Sequence, residues 1–325
     1  MDLVLLCLIT SPLILSKQAE SVLTYWNQYI MKILITGGTG LIGRHFIKAF
    51  QQPYQFTVLT RDSEAAQWDL PGNIEFIEHL PEENTFEAII NLAGEPIVDK
   101  RWTDTQKEKI RQSRWDITEQ IVAMIERSAN KPECLISGSA IGFYGETGDI
   151  AANEESQVTE ADFAHELCKK WESIAQKASD YCRVVLLRTG VVFANDGGAL
   201  AKMHLPFSLG LGGKLGSGKQ YISWIHIEDM VHAIQFSLVS KELAGPINCT
   251  SPQAITNETL TKALGKQLHR PTWFSVPEAV LNLLMGQGAQ LLLVSQNIYP
   301  QKLLAHDFDF NHVSIENTLA DLLGK

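Results

Sequence analysis

The 325 residues include 45% hydrophobic and 20% charged side chains with 23 glycines and 12 prolines, a composition that excludes collagen, coiled-coil and disordered classes and allows a large buried core. With 27 basic against 37 acidic residues the formal net charge is −10. A polyanion would be repelled and no basic patch in the sequence offsets this, so nucleic acid is not expected as a partner.

At the N-terminus, Leu3 to Leu15 is mostly apolar, but Asp2 precedes it where a signal peptide is basic, and the run is too short for a membrane-spanning helix. Two readings stand: a targeting or anchoring segment, or an extension over residues 1–30 outside the fold, with Met31 as the functional start. The missing basic flank favours the second, and no membrane partner is expected. From Lys32 onward, short β-branched runs alternate with longer helical stretches, the pattern of βαβ units on a parallel sheet. Strands are predicted at Lys32–Thr36, Phe56–Thr60, Ile74–Ile77, Ala88–Leu92, Cys134–Ser137 and Arg183–Leu187, and helices at Leu41–Phe50, Thr103–Ser128 and Asp162–Ala178. After about Phe193 a glycine-rich stretch, Gly197–Gly198 and then Gly210–Gly218, leads into a part with helical periodicity. The fold class expected is therefore α/β. A Rossmann doubly wound parallel sheet spans 31–195, a segment near 222–250 returns to it, and a smaller, mainly helical substrate lobe covers 196–325. Five cysteines, at 7, 134, 168, 182 and 249, include no C-x-x-C pair and cannot all pair off; this suits a reducing compartment and points to the cytoplasm.

The most specific local signal is Thr36-Gly37-Gly38-Thr39-Gly40-Leu41-Ile42-Gly43, a glycine loop between an apolar strand and an amphipathic helix. Gly37 permits the tight turn, Gly40 lets the backbone approach a pyrophosphate, and Gly43 allows close packing, while the N–H groups of the helix start face the anion. A dinucleotide is expected here. An acid at the end of the second strand would accept from ribose hydroxyls, whereas an arginine would meet a 2′-phosphate. That strand ends in Thr60-Arg61-Asp62, and the neighbours give opposite answers. Arg61 comes first and Arg44 could add a second positive charge, so NADP is expected ahead of NAD.

The loop Thr36–Gly43 together with Asn91-Leu92-Ala93-Gly94 resembles the extended short-chain dehydrogenase/reductase superfamily. Asn91–Glu95, Arg101-Trp102-Thr103, Ser113-Arg114, Gly197–Leu200, Leu209–Gly213, Gly216-Ser217-Gly218 and Ser223–Asp229 are similar to one atypical branch of it. That branch is the NAD-dependent epimerase/dehydratase-like, or sugar-nucleotide-epimerase-like, group with an extra C-terminal domain, here from about residue 270. The resemblance implies a nicotinamide-dinucleotide-binding core with Leu92, Ala93 and Gly94 against the cofactor and Glu95 and Arg101 as further contacts.

Hydride chemistry in that superfamily uses a Tyr with a Lys four residues later, the Lys lowering the phenol's pKa. None of the seven tyrosines has Lys at i+4; aligned on Glu172, Ala164 stands where the Tyr would lie and Cys168 where the Lys would. Ser139 resembles the superfamily's substrate-orienting Ser and would donate a hydrogen bond to a reacting oxygen. Tyr144 on the same loop is the candidate substitute acid/base, with a pKa near 10 unless a cation lies close. A packed aromatic is the plainer reading. His165 and Cys168 share a helical face but lack a third ligand, so no metal site is expected. His226 is either a contact on the cleft floor or a packing group, and Gly210–Gly218 with Lys214 and Lys219 either cradles an anion or forms a glycine hairpin closing the cleft. Two functions compete: an NADP-dependent epimerase or reductase acting on a small polar metabolite, with a nucleotide sugar among the candidates, or a non-catalytic dinucleotide sensor. The sequence leaves the oligomeric state open.

Overall fold

The computed structural model describes residues 30–70, 72–158 and 161–324; the segment 1–29 lies outside them. In chain order the elements are β1 (Met31–Thr36), α1 (Leu41–Phe50), β2 (Tyr54–Leu59), α2 (Ser63–Asp69), β3 (Glu75–Ile77), β4 (Ala88–Asn91), α3 (Asp104–Arg127), β5 (Cys134–Ala140), α4 (Phe163–Ala175), β6 (Arg183–Thr189), β7 (Val191–Ala194) and α5 (Gly198–Ser208). They continue with β8 (Gly213–Leu215), β9 (Tyr221–Ile222), β10 (Trp224–His226), α6 (Ile227–Val239), β11 (Gly245–Cys249), β12 (Ile255–Thr256), α7 (Asn257–Gln267), β13 (Phe274–Val276), α8 (Glu278–Met285), α9 (Gln290–Leu293), α10 (Gln301–Ala305) and α11 (Ile315–Leu323).

Seven parallel strands form one sheet in the order β11-β6-β5-β4-β1-β2-β3. The chain winds outward from β1 through β2 and β3, then from β4 through β5 and β6, so the strand order reverses between β1 and β4. A crevice opens there at the strand C-termini, where ligands of such sheets bind. Helices cover both faces, so the strands are apolar on both sides. Ile33 and Ile35 face a core with Phe46, Phe56 and Trp224, and Leu34 faces the opposite one with Ile121, Met124 and Leu135.

Local chemistry sets the helix ends. Thr103 caps α3 by accepting from the N–H of Gln106, and Asp162 caps α4 by accepting from that of His165. The helix expected to run to Ala178 tightens after Ala175 into a 3₁₀ turn, Gln176–Asp180. β5 and β6 are longer than predicted because their ladder continues through Ser139↔Arg188 and Ala140↔Thr189; Gly138 and Ser139 read as strand breakers in isolation. Among the described residues β11 pairs only with β6 and, as a sheet edge, tolerates Pro246. The glycine stretch 210–218 is not the free hairpin of one sequence reading. Its centre, β8, pairs with β13, and a Cβ on Gly213 would lie 2.1 Å from the Phe274 carbonyl oxygen.

The C-terminal segment is fastened to α6. His226 caps that helix by accepting the Glu228 N–H at Nδ1, its Nε2 lies 3.2 Å from Asp321 of α11, and its ring stacks on His312 at 3.6 Å. His312 Nε2 meets Glu228 at 2.8 Å, and both carboxylate oxygens of Asp229 accept backbone N–H groups, from Asn311 and His312. His226 is therefore a packing group. Although His226, Glu228 and His312 gather donor atoms within 4.8 Å, His226 Nδ1 already accepts the Glu228 N–H and its Nε2 faces Asp321, so both His226 nitrogens are engaged within the protein. Burial, and then His312, pull the His226 pKa down to about 4. An unfolded chain takes up this proton near pH 6.5, so stability is lost as pH falls from about 6.5 to about 4, by roughly 3 kcal/mol at the lower limit. Urea unfolding across this window should show a shallower pH dependence for His226→Asn than for the wild type; identical slopes would contradict this assignment.

Candidate cofactor site

The glycine loop and the β4 loop meet over the crevice because neither has room for side chains where they touch. Gly37 has φ 68°, and a Cβ there would lie 2.7 Å from the Leu92 carbonyl group. On Gly43 a Cβ would come 2.3 Å from the Gly37 oxygen, whereas Gly40 has only that oxygen nearby, at 3.1 Å, and otherwise faces open space. Gly40 is the N-cap of α1 and no side chain caps the helix, which leaves the first N–H groups, at Leu41 and Ile42, to an anion. Free N–H groups at a helix start are what a pyrophosphate would need. Gly43 packs on the Gly37–Gly38 turn, and Gly38 abuts Val58.

Buried hydrogen bonds lock the two loops together. Thr36 Oγ1 donates to Asn91 Oδ1 at 2.7 Å and accepts the Ala93 N–H at 3.2 Å. Asn91 Nδ2 donates to Thr118 Oγ1 on α3, which also accepts Trp171 Nε1 from α4. Arg114 donates to the Glu95 carbonyl oxygen at 3.1 Å, and its guanidinium lies where a Cβ on Gly94 would fall. Glu95 is held below the usual carboxylate range by Lys100, then Gln106, with a smaller contribution from Arg61.

At the end of β2 the two neighbours separate. Asp62 accepts the Ala65 N–H at 2.9 Å as the cap of α2, so its carboxylate serves the backbone. Thr60 Oγ1 donates to the Asp62 carbonyl oxygen. Arg61 is exposed and among the described residues forms no salt bridge. Arg44 corrects the sequence reading: its guanidinium is taken by Asp196, 2.8 Å away, and is not a free second charge for a phosphate. The Arg101 Nε lies 2.9 Å from where a Cβ on Gly286 would be, beside the end of α8.

Beyond β5 lies a buried polar network. Ser139 Oγ donates to Glu172 at 2.7 Å, Arg188 donates to both Glu172 oxygens at 2.8 and 2.9 Å and to the Tyr144 hydroxyl at 2.9 Å, and Tyr144 donates to Asn248. Tyr144 is 2% exposed. A cation does lie close, yet burial dominates and pushes the phenol up to about 12; Tyr144 anchors the turn after β5 and does not fit the acid/base role. Ser139 spends its proton on Glu172, leaving only lone pairs to offer, an acceptor where a donor was expected. Where the Tyr and Lys would stand, Ala164 and Cys168 lie beneath Gly142, on which a Cβ would already be 3.0 Å from the Ala164 Cβ. His165 Nδ1 is bonded to the Phe143 carbonyl oxygen at 2.6 Å and Cys168 is buried with its thiol pushed up to about 12, so neither is a nucleophile or ligand. Sequence reasoning missed Thr118, Glu172 and Arg188 as members of these networks: nothing in their local sequence marks a helix threonine or a strand arginine as buried.

A cavity of about 430 Å³ opens between the starts of α3 and α4 and the helices α8 and α9, lined in part by Trp102, Phe163, Asn282 and Gln290. Lys107–Gln287 and Gln290–Asp162 hydrogen bonds cross it. No helix among the described residues is long and apolar enough to cross a membrane. Removing Arg188 would leave Glu172 buried and unpaired, so Arg188→Ala should lower unfolding free energy by about 3–5 kcal/mol, whereas an exposed ion pair costs about 1 kcal/mol or less; chemical denaturation distinguishes the two.

Comparison with known proteins agrees with this geometry. Residues 33–249 match the NAD dependent epimerase/dehydratase family and residues 276–322 a domain of unknown function, DUF1731. An Arabidopsis thaliana protein described as "Epimerase family protein SDR39U1 homolog, chloroplastic" is 35% identical over 90% of this chain and 87% of its own length. The Staphylococcus epidermidis epimerase family protein SERP0438 is 34% identical over 90% of this chain and 99% of its own. A crystal structure of human epimerase family protein SDR39U1 with NADPH is 29% identical, with a TM-score of 0.82 over 90% of this chain and 99% of that one. The chain belongs to the NAD-dependent epimerase/dehydratase family and carries the DUF1731 domain at its C-terminal end.

Proposed function

We propose that the protein is an NADP-dependent epimerase- or reductase-like enzyme acting on a small polar metabolite held between the strand-end loops and the C-terminal helices. The observation that carries this reading is the division of labour at the end of β2: Asp62 is committed to capping α2 while Arg61 stays exposed, the arrangement that favours a 2′-phosphate over a bare ribose. The related human protein was crystallised with NADPH, which supports the same preference. When bound, the nicotinamide supplies or accepts a hydride at its C4 carbon. The chain's own part is to hold the pyrophosphate on the N–H groups of Leu41 and Ile42 and to present the Ser139 Oγ lone pairs, fixed by Glu172 and Arg188, to a substrate O–H. The proton itself passes to water or to a substrate group. Trp102, with the amides of Asn282 and Gln290, offers a flat apolar face and paired donors and acceptors suited to a hydroxylated compound, of which a nucleotide sugar is one class. We further assign the sheet with residues 31–195 to cofactor binding, residues 196–325 to the substrate, and, from the cysteine usage, the protein to the cytoplasm.

A non-catalytic sensor is the second reading, favoured by one observation: Ala164 and Cys168 stand where the superfamily's proton-transfer pair would lie, packed against Gly142. NADPH oxidation measured with a panel of carbonyl compounds and nucleotide sugars separates the two; turnover of any compound supports the enzyme, and no turnover across the panel with tight cofactor binding supports the sensor. For the cofactor preference, Arg61→Ala should weaken NADPH by about 10- to 100-fold, the range for loss of a charge-assisted hydrogen bond, and NADH far less. Equal losses in calorimetry would overturn the 2′-phosphate contact.

A further inference from the structure

The segment leading into α5 contacts the start of α1, and α5 itself contacts the loop after β4. At its leading end Asp196 pairs with Arg44 at 2.8 Å and with His45 at 3.0 Å on the first turns of α1, and its carbonyl oxygen also accepts from Arg44. Gly197 and Gly198 lie directly on Leu41, where a Cβ on either would come within 3.1 and 2.9 Å of that side chain. About one turn further on, Lys202 pairs with Asp99 in the loop that follows Leu92–Gly94. Leu200 and Phe207 seat the helix in the core, and glycines with positive φ bracket it, Gly198 at 68° and Gly210 at 72°.

We propose that α5 is a strap that retains the dinucleotide, with Asp196, Asp99 and Lys202 as positioning residues whose ion pairs govern the rate of cofactor release. This rests on the reading that a nicotinamide dinucleotide lies against the Gly37–Gly43 loop. One anchor stands on α1 and one on the loop after β4, so release past α5 requires an anchor to part, and parting both lifts Leu200 and Phe207 from the core. The pairs are exposed; each contributes modestly and is screened by salt. Asp196, with two cationic partners and a backbone contact, is the stronger anchor.

Stopped-flow fluorescence of bound NADPH, chased with excess NADP, measures release directly. Lys202→Ala should release NADPH about two- to fivefold faster, the range for loss of an exposed pair, Asp196→Asn at least as much, and Lys202→Arg should restore the wild-type rate. Raising ionic strength should accelerate release from the wild type more steeply than from the Asp196→Asn, Lys202→Ala double variant, with thermal melting confirming that each variant is folded. Wild-type release rates in both folded single variants would overturn the strap. Failure of the wild type to bind NADPH would instead overturn the cofactor reading, and the strap with it.

Discussion

The hydrogen bond from Thr36 to Asn91 joins the ends of β1 and β4, the two strands between which the sheet reverses its order. Both side chains are buried, and a buried hydroxyl and amide persist only when their hydrogen-bonding capacity is met. Thr118, Trp171 and the Ala93 N–H meet it, which extends the lock from the sheet to α3 and α4. The glycine loop can then lie on the Leu92 backbone at a distance no side chain would allow. Cofactor recognition in this protein is thus as rigid as the sheet, because the loops that provide it are held by the same atoms that close the strand ends.

A second buried polar network lies beyond the end of β5. Glu172 and Arg188 form a bidentate pair with little solvent access, and the desolvation of two such charges is recovered only when every remaining donor and acceptor is engaged. Ser139 donates to Glu172 and Tyr144 accepts from Arg188 while donating to Asn248, and the guanidinium also lies 3.5 Å from the centre of the Phe143 ring. This network ties β5, β6, β11, α4 and the turn after β5 into one unit. It explains why Ser139 keeps a fixed orientation without a neighbouring tyrosine.

How much of this was legible in the sequence differs by element. The glycine loop was read residue by residue, because strand, turn and helix start carry their own local signatures, and α1 has the predicted bounds. Thr103 and Asp162, predicted as the first residues of their helices, are their N-caps one position outside, a shift of the kind local pattern cannot fix. Arg44 was misdirected, since its partner Asp196 is distant in sequence and no local pattern announces it. The same holds for Ser139: its motif suggested a donor, and only Glu172, 33 residues later, makes it an acceptor. The lone-pair direction of His226 was equally hidden, being set by a backbone N–H two residues on and by the α11 helix.

The strand β11 reaches the sheet late. β6 ends at Thr189, and β11 begins only at Gly245, so 55 residues separate them in chain order. At a synthesis rate of about 5–20 residues per second, the open side of β6 waits roughly 3–11 s for its neighbour while the chain is still emerging from the ribosome. An unpaired strand edge is a template for association with other chains, and β6 is rich in Val and Leu. The nascent protein therefore has a defined interval of vulnerability, which places the demand for chaperone protection in the middle of its synthesis and not at its end.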